Sequence, residues 1–161
     1  MMGLLSGLFT RGEPALSEAA SRDAATIAAL HAASFRRGWS EQEVEGLLTD
    51  RQVIAHRATA GVKLVGFIMS RRAADEAEIL SVAVARSSQG RGLARKLLDL
   101  HLRRLAALSA RAVFLEVDEH NAVAIKLYAR AGFQEVSRRP NYYPGAASKP
   151  AAALVLRRDL T

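Results

Sequence analysis

The chain has 161 residues, of which 23 are Lys or Arg and 16 are Asp or Glu, so its formal net charge at pH 7 is +7. This length fits one compact domain, and the absence of cysteine excludes disulfides, thiolate metal sites and a cysteine nucleophile. The basic residues are scattered in pairs without a long basic block, which favours a solvated basic surface over a dedicated nucleic-acid groove.

An apolar segment, residues 1–9, opens the chain. It is far shorter than the about 20 residues that a membrane span needs, and it lacks the basic start of a signal peptide. We therefore expect residues 1–13 to be a flexible lead-in, residues 14–161 to form a single domain, and the protein to be cytoplasmic with no membrane partner. The four histidines have no paired ligand spacing, so no metal site is expected.

The first part of the domain is predicted to contain one strand and two helices. Residues 14–20 can form the strand, and Ser21 is placed to cap a first helix with one apolar side. Ser40 and Glu43 have the spacing of a capping box, which indicates the start of a second helix.

A three-stranded meander is predicted next. Residues 53–58 and 63–71 flank the turn signal Thr59-Ala60-Gly61, which indicates an antiparallel hairpin. Residues 76–84 supply the third strand.

The loop Gln89-Gly90-Arg91-Gly92-Leu93-Ala94 follows this strand and opens into a leucine-rich helix that runs to Ser109. Two glycines let backbone approach a ligand closely, and the unpaired N–H groups of a helix's first turn favour an anion such as a pyrophosphate. A Walker A loop is excluded because Gly92 is not followed by Lys, and a Rossmann fingerprint is excluded because Arg95 occupies its last glycine position. The predicted buried side of the helix consists of Leu93, Leu97, Leu100, Leu105 and Leu108.

Strand and helix patterns alternate through the rest of the chain. They predict a buried strand over residues 112–117, a helix over residues 121–131 that stops at Gly132, and closing strands over residues 133–139 and 152–156. The complete order is β-α-α-β-β-β-α-β-α-β-β, which indicates a mixed α/β fold.

Several motifs occur in the order typical of one enzyme family. Gln89-x-x-Gly92-x-Ala94 resembles the acyl-CoA loop of the GCN5-related N-acetyltransferases (GNAT family), and the chain from residue 14 onward is similar to the bacterial subgroup that acts on the N-terminal alanine of a ribosomal protein. The other motifs that carry this resemblance are Phe114-Leu115-Glu116-Val117, Asn121, Leu127-Tyr128, Ala131-Gly132-Phe133, Trp39-Ser40-Glu41 and Arg138-Arg139-Pro140-Asn141-Tyr142-Tyr143-Pro144. The resemblance implies a mixed, mostly antiparallel sheet of about seven strands with about four helices, in which the fourth and fifth strands splay apart to admit acyl-CoA.

The resemblance implies acetyl-CoA as the cosubstrate and no metal. The strand that precedes the loop is expected to pair its backbone with the pantetheine amides, and the loop is expected to hold the phosphates. Arg91 and Arg95 either add charge there or are exposed arginines at the start of a helix. The residues implied to contact acetyl-CoA are Val82, Ala83, Val84, Gln89, Gly90, Arg91, Gly92, Leu93, Ala94, Arg95 and Asn121.

Glu116 and Tyr128 are the candidate catalytic residues. An α-amino group has an ordinary pKa of about 7.7 to 8.0, so it needs only a modest base, the role given to Glu116. Strand alternation places Glu116 on the polar face of its strand, where it is alternatively an ordinary residue paired with an arginine. A phenol, whose ordinary pKa is about 10, suits protonation of the departing CoA sulfur, and Tyr128 shares a helical face with Asn121. The alternatives are that Tyr128 packs its ring in the core and that Asn121 only caps its helix.

Trp39, Tyr142 and Tyr143 are the candidate substrate-binding residues. Large amphipathic side chains commonly wall binding sites, and the resemblance places these three at a peptide entrance. The alternative is that they cover a loop as a satellite of the core. The family usually carries acidic residues after Tyr-Tyr-Pro, whereas residues 145–150 contain none, so a basic peptide loses one expected partner.

The resemblance implies acetyl transfer to the N-terminal alanine of a small-subunit ribosomal protein, by direct attack of the amine on the thioester. The partner is then a protein N-terminus, without nucleic acid or membrane, and the enzyme is expected to be a monomer or weak dimer. Two alternatives stay open: an acetyltransferase for small amines, and a non-enzymatic basic module that binds RNA.

Overall fold

The computed structural model describes residues 13–143 and 151–160, and of residues 141–143 it describes the backbone alone. Most of the predicted lead-in and the side chains of Tyr142 and Tyr143 therefore lie outside the described residues. Within them, strands and helices follow one another in the predicted order. The elements are β1 (Ala15–Glu18), α1 (Ala24–Ser34), α2 (Glu41–Thr49), β2 (Val53–Ala60), β3 (Lys63–Ala73), β4 (Glu76–Val84), α3 (Leu93–Ala107), β5 (Ala112–Asp118), α4 (Ala122–Arg130), β6 (Gln134–Tyr143) and β7 (Ala151–Asp159).

The first two helices begin in different ways, and only one begins as predicted. Ser40 caps α2, because its hydroxyl accepts a backbone N–H from the first turn at 3.1 Å. The prediction that Ser21 caps α1 is wrong, since residues 21–23 form a 3-10 turn ahead of the helix. The carboxylate of Asp23 instead accepts the Ala20 N–H at 2.9 Å and pairs with Arg57 on β2 at 2.6 Å. This ion pair between distant parts of the chain fixes where α1 begins.

The seven strands form one sheet in the order β1-β2-β3-β4-β5-β7-β6. Neighbouring strands are antiparallel except β4 and β5, which are parallel. These two strands pair only at their amino ends, where residues 76–78 lie opposite residues 112–114. The carboxyl halves of β4 and β5 are not paired with each other, which is the splay that the family resemblance implied.

Helices cover the two faces of the sheet unequally. Residues of α3 and α4 form one buried cluster with strand residues that include Ile79, Val113, Leu115 and Val117. Residues of α1 and α2 form a second cluster, on the other face, with residues that include Ala55, Phe67, Met69 and Ala83. Phe114, Glu116 and Asp118, which alternate with the β5 residues of the first cluster, belong to neither cluster and are half-buried. These side chains of β5 are therefore left partly open to solvent.

Helix α3 contains a buried histidine that the leucine pattern did not predict. Its buried residues are Leu93, Leu97, Leu98, His101, Leu102 and Leu105, whereas Leu100 and Leu108 are only partly buried. The ring of His101 makes two contacts, from Nδ1 to His56 Nδ1 at 2.8 Å and from Nε2 to the Ser70 hydroxyl at 2.6 Å. All three side chains are buried, and burial together with the neighbouring His56 lowers the pKa of His101 to about 3. The three residues link α3 to β2 and β3 through neutral hydrogen bonds.

Candidate active site

The glycine loop between β4 and α3 has the backbone shape of an anion-binding loop. Gly90 and Gly92 have φ values of +79° and +76°, which L side chains rarely adopt. A Cβ placed on either glycine meets nothing within 4 Å, so the requirement for glycine is conformational and open space lies beside the loop. Gly92 caps α3 without any side-chain hydrogen bond, and the N–H groups of the first turn therefore remain available for an anion.

Side chains on the loop have different environments. Gln89 Nε2 donates a hydrogen bond to the Val84 carbonyl at 3.0 Å and so ties the loop to the end of β4. Arg95 is half-exposed and pairs with Asp99, one helical turn later, at 2.9 Å. Arg91 is exposed. The Arg95 pair fits the alternative of an arginine at an exposed helix start, and neither guanidinium is buried in the loop.

Glu116 lies on β5 just beyond the point where β4 and β5 stop pairing. Its side chain is about one-quarter exposed, and its Oε1 lies 3.0 Å from Nη2 of Arg139 on β6. The pairing with an arginine that sequence reasoning held as an alternative is therefore present. A pocket of about 350 Å³ opens at the same place. Its lining residues are Arg71, Ala73, Glu76, Ala77, Glu78, Phe114, Leu115, Glu116, Arg139 and Val155.

Tyr128 approaches β5 from the other face of the sheet. It belongs to the buried cluster that contains Leu115 and Val117, and its ring packs edge-on against Phe133 with centroids 5.5 Å apart. The core packing that was weighed as an alternative is thus observed. Burial raises the pKa of Tyr128 to about 12, above the value of about 10 assumed from sequence. Within the described part of the chain its hydroxyl has no hydrogen-bond partner, so its proton is free for donation to a ligand.

Asn121 caps α4, since its Oδ1 accepts the Ala124 N–H at 3.2 Å. The capping role proposed as an alternative is therefore present. The side-chain amide nitrogen is not used by this bond and lies at an exposed position near the end of β5.

Trp39 is held at the junction of α1 and α2. Its ring stacks on His31, with centroids 4.0 Å apart and an interplanar angle of 9°, and the backbone N–H of Trp39 donates to His31 Nδ1 at 3.0 Å. It packs against the second core cluster, which is the satellite role weighed against substrate binding. Burial lowers the pKa of His31, which keeps Nδ1 available as an acceptor. Stacking on His31 and packing against this cluster therefore hold the Trp39 ring in place.

The structure brings some predicted site residues together and separates others. Glu116 shares a pocket with Arg139, Glu78 and Arg71, none of which sequence reasoning had paired with it. The side chain of Glu116 lies on one face of β5, and Tyr128 packs against the other face. The unpaired halves of β4 and β5 leave an opening between those two faces. Glu116 on β5 and Arg139 on β6 lie on the same face of the sheet because of the way in which both strands are aligned with β7. Sequence patterns within one strand do not specify this alignment.

The described residues contain no group of three or more His, Cys, Asp or Glu side chains placed to hold a metal ion. None of the helices in residues 13–143 and 151–160 is long and apolar enough to cross a membrane.

Comparison with known proteins identifies the family. Residues 24–133 match the family described as Acetyltransferase (GNAT) family. The [ribosomal protein bS18]-alanine N-acetyltransferase of Salmonella typhimurium is 34% identical over 117 residues, which cover 73% of this chain and 78% of that protein. The crystal structure of a ribosomal-protein-alanine N-acetyltransferase from Escherichia coli superposes with a TM-score of 0.85 at 26% identity, covering 92% of this chain and 94% of the other.

A more distant structure, that of Arabidopsis thaliana NAA60 in complex with acetyl-CoA, has a TM-score of 0.79 at 17% identity and covers 91% of this chain and 98% of the other. At this identity it supports the fold alone. The family match covers more than half of the chain, and the strand order and the parting of β4 from β5 agree with it. The chain therefore belongs to the GNAT family of acetyltransferases.

Proposed function

We propose that this protein transfers the acetyl group of acetyl-CoA to the α-amino group of a protein whose N-terminal residue is alanine, and that this protein is a small-subunit ribosomal protein. The observation that carries the proposal is the opening between β4 and β5, with the glycine loop at the end of β4 and the Glu116 pocket beside the point of divergence. The substrate named for the Salmonella and Escherichia coli relatives supports the choice of acceptor.

The residues of the glycine loop fit the phosphates of acetyl-CoA. The open space beside Gly90 and Gly92 and the uncapped first turn of α3 suit an anionic group. The edge of β4 that does not pair with β5 beyond residue 78 can bond an extended chain of amides, as an added strand does. In this proposal residues 82–84 hold the pantetheine, residues 89–95 hold the phosphates, and Asn121 contributes its free amide. Acetyl-CoA, when bound, supplies a thioester-activated acetyl group.

In this mechanism the carboxylate of Glu116 accepts a proton from the incoming α-ammonium group. Because the ordinary pKa of that group is about 7.7 to 8.0, removal of its proton near neutral pH needs little driving force. A backbone N–H on the free edge of β4 stabilises the oxygen on which negative charge develops. In this proposal the amine attacks the thioester directly, and the absence of cysteine agrees with a reaction that has no cysteinyl intermediate.

Tyr128 is proposed to stabilise the departing sulfur. Its pKa of about 12 keeps the hydroxyl protonated at physiological pH, so it can donate a hydrogen bond as the thiolate forms. Since this pKa lies above the ordinary thiol value of about 8.5, transfer of the phenol proton to the thiolate is unfavourable, and Tyr128 acts by donating a hydrogen bond to the developing negative charge.

The change Tyr128→Phe should lower kcat by about a hundredfold because the hydrogen bond to the leaving group is lost. The phenyl ring keeps the edge-on contact with Phe133, so the thermal midpoint should change little. Steady-state kinetics together with a melting curve check both expectations. A variant with kcat within twofold of the wild type would remove Tyr128 from the reaction.

The change Gly92→Ala should weaken acetyl-CoA binding by about tenfold. Alanine at a φ of +76° costs about 1–2 kcal/mol, and its Cβ would enter the open space beside the loop. Gly61→Ala is the matched control, because Gly61 has a φ of +62° and open space but lies in the turn between β2 and β3. Calorimetric titration should show weakened binding for the first variant alone. Equal loss in both would mean that general strain, not the loop, controls affinity.

The proposed function is tested by incubating the protein with acetyl-CoA and a panel of peptides that differ only in their first residue. Mass spectrometry should show one acetyl group on the N-terminus of alanine-initiated peptides, and none on the same peptide with a blocked N-terminus. Acetylation of small amines in preference to every peptide would replace the proposal with the small-amine alternative. Failure to acetylate any acceptor, despite acetyl-CoA binding, would reject the proposed function.

The setting of this activity is also part of the proposal. The partner is a protein N-terminus, the compartment is the cytoplasm, and the enzyme works as a monomer or weak dimer without nucleic acid or membrane. The scattered basic pairs are consistent with a basic surface that attracts an anionic cosubstrate.

A further inference from the structure

We propose that Arg139 is a positioning residue that fixes the Glu116 carboxylate by one oxygen and leaves the other oxygen to meet the acceptor amine. The inference rests on the proposed function, because it assigns Arg139 a part in the same proton transfer. Arg139 acts through Glu116 and is not itself assigned contact with the reacting atoms.

The contact reaches across a whole strand. Arg139 lies on β6 opposite Ala153 of β7, and Glu116 lies on β5 opposite Val155 of β7. Arg139 Nη2 and Glu116 Oε1 are 3.0 Å apart, and both side chains line the same pocket. The regular pairing of β6 with β7 is interrupted immediately after Arg139, where Pro140 removes a backbone donor. The register of three strands thus places this guanidinium on the pocket side of the sheet.

The geometry distinguishes the two oxygens of the carboxylate. A charge-assisted hydrogen bond from a guanidinium to Oε1 restricts rotation of the carboxylate. The second oxygen is then held in one orientation in the pocket, which raises the fraction of time that the carboxylate spends in a geometry able to accept a proton from the amine. An unrestrained glutamate would spend part of its time in rotamers that cannot accept the proton.

The charges around the pocket predict how loss of Arg139 divides between binding and turnover. Three acidic residues, Glu76, Glu78 and Glu116, line this pocket together with the basic residues Arg71 and Arg139. Removing Arg139 leaves three acidic groups against one basic group. A cationic N-terminus should therefore bind at least as well to Arg139→Ala as to the wild type, while kcat falls.

The test compares Arg139→Ala, Arg139→Lys and the control Arg138→Ala. Arg138 is the sequence neighbour with similar exposure, but it pairs with Glu119 and Glu135 instead of Glu116. For the peptide that the wild type acetylates, Arg139→Ala should lower kcat by about ten- to a hundredfold without raising KM. Arg139→Lys should recover most of the lost kcat, since it keeps a donor and a positive charge. Arg138→Ala should leave both constants within about twofold of the wild type.

A double-variant cycle isolates the route through Glu116. Arg139→Ala should cost little further activity in the Glu116→Gln background, because the carboxylate on which it acts is already gone. Calorimetry should show unchanged acetyl-CoA binding in every variant. Equal loss of kcat in both backgrounds, or a raised KM with unchanged kcat, would overturn the positioning role. Absence of acetylation by the wild type would instead reject the proposed function, so the two failures are distinguishable.

Discussion

Replacing Glu116 by glutamine should lower kcat by about a thousandfold, the middle of the range for loss of a general base. The amide has nearly the same shape as the carboxylate, but it cannot accept the proton of the α-ammonium group. Acetyl-CoA binding should be unchanged, since the glycine loop and the free edge of β4 do not involve Glu116. Single-turnover acetylation and calorimetry on the same preparation measure the two effects separately.

Glu78→Gln is the matched control for this substitution. Glu78 lines the same pocket, undergoes the same loss of charge and, among the described residues, has no ion pair. Its change should affect kcat by only a few fold, through the weaker attraction of the pocket for a cation. If the two variants lose similar activity, the pocket's charge and not a specific base controls the rate. If Glu116→Gln retains full kcat, Glu116 serves only its ion pair with Arg139.

Lowering the pH from 7 to 4 should reduce the free energy of unfolding by a contribution from His101 on the order of a few kcal/mol. In the folded protein the pKa of His101 is lowered to about 3, while in the unfolded chain it returns to about 6.5. Between these values the unfolded state binds more protons, so protons favour unfolding. The contribution is fully present above pH 6.5 and is lost as the pH falls toward 3.

Two other histidines act in the same direction, one of them in contact with His101. Burial also lowers the pKa of His56 and His31, and around His56 the charge of Arg104 lowers it further while that of Glu18 opposes the shift. A proton on His101 would remove its ability to accept a hydrogen bond and place an ion within 2.8 Å of the His56 ring nitrogen. The acid-labile part of the fold is therefore the junction of α3 with β2 and β3.

The variants His101→Leu and His120→Leu separate this effect from general acid denaturation. His101→Leu should lose stability at pH 7, because Ser70 and His56 each lose a partner at a cost of about 1–3 kcal/mol. Its stability should then fall less steeply with pH than that of the wild type. His120, whose side chain is 72% exposed, should leave the slope unchanged when replaced. Urea unfolding at several pH values gives these slopes, and equal slopes for His101→Leu and the wild type would contradict the assignment.

The fold could be predicted from sequence as far as its signals are local. The hairpin turn at Gly61, the capping of α2 by Ser40 and the stop of α4 before Gly132 are each encoded within a few residues. Leucine spacing gave α3 and part of its buried side, but not His101, because Ser70 and His56, which stabilise the burial of His101, lie 31 and 45 residues away. The prediction that Ser21 caps α1 failed for the same reason, since Asp23 is fixed by Arg57, a distant residue on β2.

The candidate site was likewise predictable only where its signals are local in the sequence. Motif order in the chain was enough to identify Glu116, Tyr128 and the glycine loop as candidates, and the family they indicated is confirmed. Their environments were not predictable, since the ring of Tyr128 is buried by the tertiary packing of α4. Arg139 was missed because its neighbourhood with Glu116 depends on the register of β6 on β7 and of β7 on β5. At Glu116 the predicted role and its alternative do not exclude each other, because this glutamate pairs with Arg139 and also lines the pocket.

Because β4 and β5 separate beyond their amino ends, the sheet has an opening that connects its two faces. If the nucleotide thioester enters from the side of α3 and the acceptor from the side of Arg139, neither reactant has to leave before the other arrives. The two faces of the sheet carry different residues, so substitutions at the acceptor entrance can leave the binding of the nucleotide unchanged. The same fold can therefore change its acceptor specificity without losing its acyl donor.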